Sequence, residues 1–277
     1  MLRPAPPLRI PPPSAAAWLL LPLSVVANGA VFWPAACLVA ITAAGARHYG
    51  AMLVWYGLAV GFDRNALILA PFVAAVLIGA RVRWQLLPLA PVFALAMLLA
   101  RAHAAPPFLA LPPPITLPAA PSLWTILQVL PWIGTLPLGG LALTSAFGTA
   151  VAYGAWASTQ PLRPPEVRER ALLCALAIPM VLPGLDPSAF LLAGGLALHA
   201  ALLERSAPRR RIAALVGIGM LVACSGGVGA AAFGAIAMIG ATLLQARSVL
   251  KRGAANDNPA MAWAAAAPPL PLPRVMC

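Results

Sequence analysis

A hydrophobic chain with almost no acid and a proline at nearly every turn has few ways to fold. Here 62% of residues are hydrophobic, six are acidic and 32 are prolines. Charged residues make up 9%, against about 25% in an ordinary soluble domain. Such a chain cannot cover itself with polar surface, so its expected solvent is the bilayer. The expected fold class is all-α: a polytopic integral membrane helix bundle of about 10 short transmembrane helices.

The 277 residues suffice for one membrane domain. The least apolar stretches are 1–13, 102–122, 159–170 and the tail after Arg247, and none is long enough to bury a core of its own. The net charge of +12 would point to nucleic acid in a soluble protein. Here the cations stand singly or in short clusters at the ends of apolar runs, where they serve as topology anchors against anionic headgroups. The expected partners are therefore membrane lipids, and nucleic acid is excluded. Cys37, Cys174, Cys224 and Cys277 have no CxxC spacing, which argues against a zinc site or a disulfide framework. Arg3 and Arg9 before the run Ala15 to Val26 resemble a signal peptide. Apolar character resumes at Ala30, so the reading is an uncleaved first helix.

Charged and turn residues cut the apolar sequence into segments at 14–27, 30–46, 49–62, 66–80, 85–101, 137–158, 171–184, 188–203, 212–224 and 230–246. The stretch 123–135, with Trp124 and Trp132, reads as a helix lying at the interface. Several segments hold 13 to 17 residues, and 14 residues of helix rise only about 21 Å against a hydrocarbon core of about 30 Å. Ten crossings put both termini in the cytoplasm of a bacterial inner membrane. Of the 18 cations, only Arg64 and Arg101 then fall outside.

The organisation expected is a Pro-rich leader (1–13), membrane helices over 14–101, a Pro-rich outer loop with the interfacial helix (102–136), membrane helices over 137–252, and a disordered tail (253–277). No internal repeat stands out.

Scarcity of acid narrows the candidate chemistry. Asp257 lies in the tail, and Glu166, Glu169 and Glu204 sit among arginines, where solvated ion pairs are expected. Asp63 and Asp186 remain, both at outer helix ends. The outer turns at 26–29, 61–65, 183–186 and 224–229 are expected to converge on one cavity, with Asn28, Asp63, Arg64, Asn65 and Asp186 as its polar lining. Arg64 suits a phosphate, as a charge-assisted donor; its alternative role is a snorkelling anchor. His48, His103 and His199 have no second ligand at helical spacing, so no metal site is expected. Ala223-Cys-Ser-Gly226 resembles the serine motif of rhomboid proteases. No histidine follows Ser225 to activate it, which rejects that reading.

Val26-Ala-Asn-Gly29, the hairpin from Gly57 through Asp63-Arg-Asn65 to Phe72, the basic loop Ala80-Arg-Val-Arg-Trp84, Arg168-Glu-Arg-Ala-Leu-Leu-Cys174, Ile178-Pro-Met180 and Leu185-Asp-Pro187 follow one another in order. Together they resemble the later part of glycosyltransferase family 87, a mannosyltransferase-like branch of the GT-C superfamily. The resemblance covers roughly residues 25–250. It implies a polyprenyl-phosphate sugar donor at the outer face, Asp63 or Asp186 as catalytic base, and Arg64, Asn65 and Asn28 as lipid-phosphate or substrate-binding residues. The hairpin tip departs from the family's Lys-Pro-Gln, and the family's catalytic aspartate lies in a loop ahead of these segments. The resemblance therefore implies a shortened relative, a partner subunit, or an enzyme that uses Asp63. A small-molecule permease with Pro- and Gly-broken helices is the reading from another class, and a scaffold subunit without ligand is the third.

Overall fold

A computed structural model describes residues 32–104, 120–129, 138–160, 163–204 and 206–256. The Pro-rich leader, the expected first helix at 14–27, Asn28, most of the Pro-rich loop, Trp132 and the tail beyond Asn256 lie outside the described residues. The described residues are helical throughout, with ten α-helices. These are α1 (Phe32–Gly45), α2 (Tyr49–Phe62), α3 (Ala70–Gly79), α4 (Leu89–Ala104), α5 (Leu123–Val129), α6 (Leu138–Thr159), α7 (Pro164–Val181), α8 (Leu191–Glu204), α9 (Ala207–Cys224) and α10 (Val228–Asn256). Short 3₁₀ turns over Arg64–Leu69 and Pro187–Phe190 open α3 and α8, and a third covers Trp84–Leu86. Among the described residues, two helices are long and apolar enough to cross a membrane by length and composition: Pro187–Glu204, with 18 residues including its opening turn, and Val228–Lys251, with 24.

Helix α7 is the hub. It packs on α1, α3, α6, α8 and α10, and Ala171 to Leu176 are buried without a break. It starts at Pro164, seven residues before the expected 171. Two prolines at the first helical positions and Glu166 in the first turn make a favourable helix start. The charged residues behind them, which hydropathy reads as loop, find partners within the helix (Arg170 with Glu166) and on neighbouring helices (Glu169 with Arg209, Arg168 with His199).

Small residues set the helix spacing. Gly57 and Gly61 of α2 face Ala90 and Ala94 of α4, and a Cβ at either glycine would strike the facing carbonyl oxygen. Both contacts advance by four residues in the same direction, so α2 and α4 run parallel, with α3 returning between them in the chain. This is the close approach that a small-xxx-small pattern permits. Gly219 and Gly234 make the matching contact between the antiparallel α9 and α10.

Arginines close two helices. Arg47 and Arg81 have positive φ (61° and 49°) after α1 and α3. His48 N–H donates to the Ala43 carbonyl at 2.9 Å, and Val82 N–H to the Leu77 carbonyl at 3.1 Å. These are Schellman closures with arginine where glycine is usual, and each cation sits at the negative end of its helix. The expected interfacial helix is the short α5. Its Trp124 is buried, with Nε1 donating to the Val181 carbonyl at 2.6 Å, so this ring faces the protein rather than its surface.

Candidate functional site

The end of the bundle that holds Asp63 is built by two helix breaks. α2 stops at Phe62, and Asp63 is extended (φ −145°, ψ 131°) and caps the 3₁₀ turn by accepting the Asn65 N–H at 2.9 Å. α7 ends at Val181, and the chain turns through Pro183 and Gly184 (φ 68°) to Asp186, the cap residue of the second 3₁₀ turn. Asn65 Nδ2 donates to Ser188 Oγ at 3.2 Å, which ties the two turns together.

Beside this tie lies a cavity of about 590 Å³. Arg64, Asn65, Leu67 and Pro71 form one wall. Leu143, Phe147 and Ala150 of α6 form another, and Ile178 with the turn Leu182 to Leu185 closes the third. Arg64 is exposed and makes no ion pair among the described residues. The chamber is otherwise apolar, with Asn65 as its second polar side chain. That suits a ligand with one anionic group on a hydrocarbon body.

Arg64 and Asn65 thus line one cavity with the 183–185 turn. Asp63 and Asp186 stand one residue outside the lining: Asp63 is committed to its cap, and Asp186 is half-buried without a side-chain cap bond. The turn around Cys224 to Gly229 does not contribute, and Asn28 lies outside the described residues.

The opposite end holds a charge cluster that differs from the solvated pairs expected there. Glu169, Arg170 and Arg209 are buried, at 5%, 4% and 3% exposure. Arg209 Nε donates to Glu204 at 3.1 Å and Nη1 to the Gln245 side-chain oxygen at 2.7 Å. Its Nη2 lies in ion-pair contact with the Glu169 carboxylate, off the direction of a hydrogen bond. Gln245 returns a bond to the Glu169 carbonyl at 2.9 Å. One guanidinium therefore joins α7, α8, α9 and α10. Arg170 pairs with Glu166 at 2.9 Å, and Tyr153 donates to the Arg170 carbonyl at 2.8 Å, which fastens α6. A pocket of about 70 Å³ lies alongside, where Arg168 meets His199 at 3.4 Å. Among the described residues no cluster of three or more potential metal ligands occurs.

Comparison with protein-family models, with curated proteins and with solved structures returns no match.

Proposed function

We propose that this chain is a polytopic membrane protein that takes up a lipid with an anionic phosphate headgroup, in the manner of a GT-C-type transferase. Three features support the membrane setting. Large side chains point outward (Leu95, Leu141, Phe147, Leu202, Leu221, Phe233), while the interior is rich in alanine. A folded chain in water avoids so much exposed apolar surface, whereas a bilayer accepts it and rewards close packing of small residues. The exposed cations Arg47, Arg81, Arg163, Arg210, Arg247 and Lys251 gather at the end opposite Asp63, as the positive-inside rule requires of a cytoplasmic face.

The cavity carries the functional reading. Its wall residues Leu143 to Ala150 lie about 8–18 Å along α6 from its first residue, on a helix that rises about 33 Å. Arg64 then sits within the outer half of the bilayer, where a cation is costly unless it has work to do. Phosphate oxygens supply its partner, and Phe147, Leu67 and Leu182 supply a surface for an isoprenoid chain. In the transfer step Asp186, whose carboxylate makes no cap bond, takes the proton of an acceptor hydroxyl. The acceptor oxygen bonds to the sugar's anomeric carbon, the bond to the lipid phosphate breaks, and Arg64 holds the departing phosphate. Asn65, with Asn28 by resemblance, orients the headgroup.

Native mass spectrometry of protein extracted in mild detergent tests this reading. A retained polyprenyl-phosphate mass that disappears in Arg64→Ala is the expected result. An empty protein, or retention indifferent to the substitution, sinks it.

A further inference from the structure

The two helix breaks share a pattern, although Asp63 caps its turn through its side chain and Asp186 does not. Asp63-Arg-Asn-Ala-Leu-Ile-Leu-Ala70 and Asp186-Pro-Ser-Ala-Phe-Leu-Leu-Ala193 align with four of eight residues identical, and one pair is a rare acid. In each the Asp is extended and precedes a 3₁₀ turn that runs on into an α-helix. The first i→i+3 bond is the same in both: Ala66 N–H to the Asp63 carbonyl at 3.1 Å, and Ala189 N–H to the Asp186 carbonyl at 3.0 Å. Asn65 and Ser188 are counterparts in this alignment, and they hydrogen-bond to each other. Equivalent residues of two units related by an axis meet in this way where they lie near it. One pairing is reciprocal: α3 lies on α6, the helix before α7, and α8 lies on α1, the helix before α2, whereas the contacts of α7 with α1 and α3 have no counterpart of similar extent between α2 and α6 or α8.

We infer that α1–α3 and α6–α8 are two parallel copies of a broken-helix unit, and that the cavity is the cleft between them, opened and closed by their relative movement as the anionic lipid enters. The lining supports the second part. Arg64 to Pro71 come from one unit, and Leu143 to Ala150 with Ile178 to Leu185 come from the other. In carriers built from repeats, discontinuous helices at the repeat interface hold the ligand. Only the first break is suited to this. The counterpart of Arg64 is Pro187, which has no charge. The counterpart of Leu67, 54% exposed on the cavity, is Phe190, which is fully buried. The correspondence ends after α3 and α8, since α4 packs on α2 whereas α9 packs on α8. The ligand identity rests on the proposed function; the duplication does not.

Two measurements test this. Asn65→Ser and Ser188→Asn should each lower the thermal midpoint of the protein in nanodiscs, and the double exchange should regain most of the loss. Losses that simply add would show the positions are not equivalent and overturn the duplication. Second, Asn65→Cys with Ser188→Cys is oxidised in phosphatidylcholine nanodiscs with farnesyl phosphate or farnesol, against the single-cysteine controls. Farnesyl phosphate should change the cross-linking rate about fivefold or more, the lower range of coupling between sites. Retention of farnesyl phosphate is read on the unsubstituted protein and on the reduced double-cysteine protein in the same nanodiscs. Loss of retention refutes the ligand; retention with an unaltered rate refutes the moving cleft.

Discussion

Replacing Arg209 with methionine tests the most heavily committed side chain of the fold. Methionine keeps much of the stem's length and apolar bulk and removes the charge. Arg209 is 3% exposed and serves Glu204, Gln245 and Glu169, so the substitution takes a buried carboxylate's cationic partner and the Gln245 bond in one step. Breaking a buried pair from one side costs about 3–5 kcal/mol, most of it the penalty of the charge left behind. The companion change Glu169→Gln removes that charge, so the double variant should be less destabilised than the sum, by about 1–3 kcal/mol of coupling. Equilibrium unfolding in mixed micelles of increasing dodecyl sulfate fraction, followed by helical circular dichroism, measures all four proteins of the cycle. A loss below about 0.5 kcal/mol for Arg209→Met, the range of ordinary surface changes, or strict additivity in the cycle, refutes the claim that this guanidinium joins four helices.

The other predictions use the same assay. Gly57→Val forces α2 off α4 and should cost about 1–3 kcal/mol, as overpacking does, whereas Gly148→Val on α6, where a Cβ meets nothing within 4 Å, should be far milder. Equal effects contradict the parallel α2–α4 contact. Trp124→Phe removes the donor to the Val181 carbonyl and should cost about 1–2 kcal/mol; no change would mean α5 is not seated on α7. Gly184→Ala meets no atom but must hold φ near 68°, so a loss of about 1–2 kcal/mol is expected from backbone strain alone. A neutral result would argue against this shape of the turn that closes the cavity.

Helix positions were legible where charge and turn residues bracket an apolar run. The span 49–62 was expected and α2 occupies it, between the Arg47–His48 closure and the Asp63 cap. α10 runs to Asn256, well past the expected 246, because Arg247 and Lys251 are exposed on a continuing helix. The start of α7 was hidden because hydropathy treats Glu166 to Arg170 as solvated, although their partners lie within the protein. Glu166 and Arg170 are a local pair four residues apart, but the bonds that bury Glu169 and Arg209 are distant, with Arg209 and Gln245 36 residues apart and Gln245 and Glu169 76 apart, so no local pattern announces that part of the cluster. Arg64 and Asn65 were legible as a polar interruption between apolar segments. The exclusion of Asp63 from the cavity was not, because capping depends on one rotamer. The proposed repeat is illegible in the sequence for a different reason. Eight residues rich in Ala and Leu align with many places in such a chain, and the matching 3₁₀ turns with the Asn65–Ser188 bond distinguish this pairing.

The central claim is that the chain crosses a bilayer repeatedly, with its basic end inside and the Arg64 cavity towards the outside. Cysteine accessibility in intact cells tests this most directly. In a Cys224→Ser, Cys277→Ser background, Ser225→Cys marks the Asp63 end, and Arg210→Cys or Arg247→Cys marks the basic end; all three positions are exposed. A membrane-impermeant maleimide should label Ser225→Cys in intact spheroplasts, and label the other two only after permeabilisation. Labelling of all three from one side, or recovery of the protein in the soluble fraction, would contradict the account.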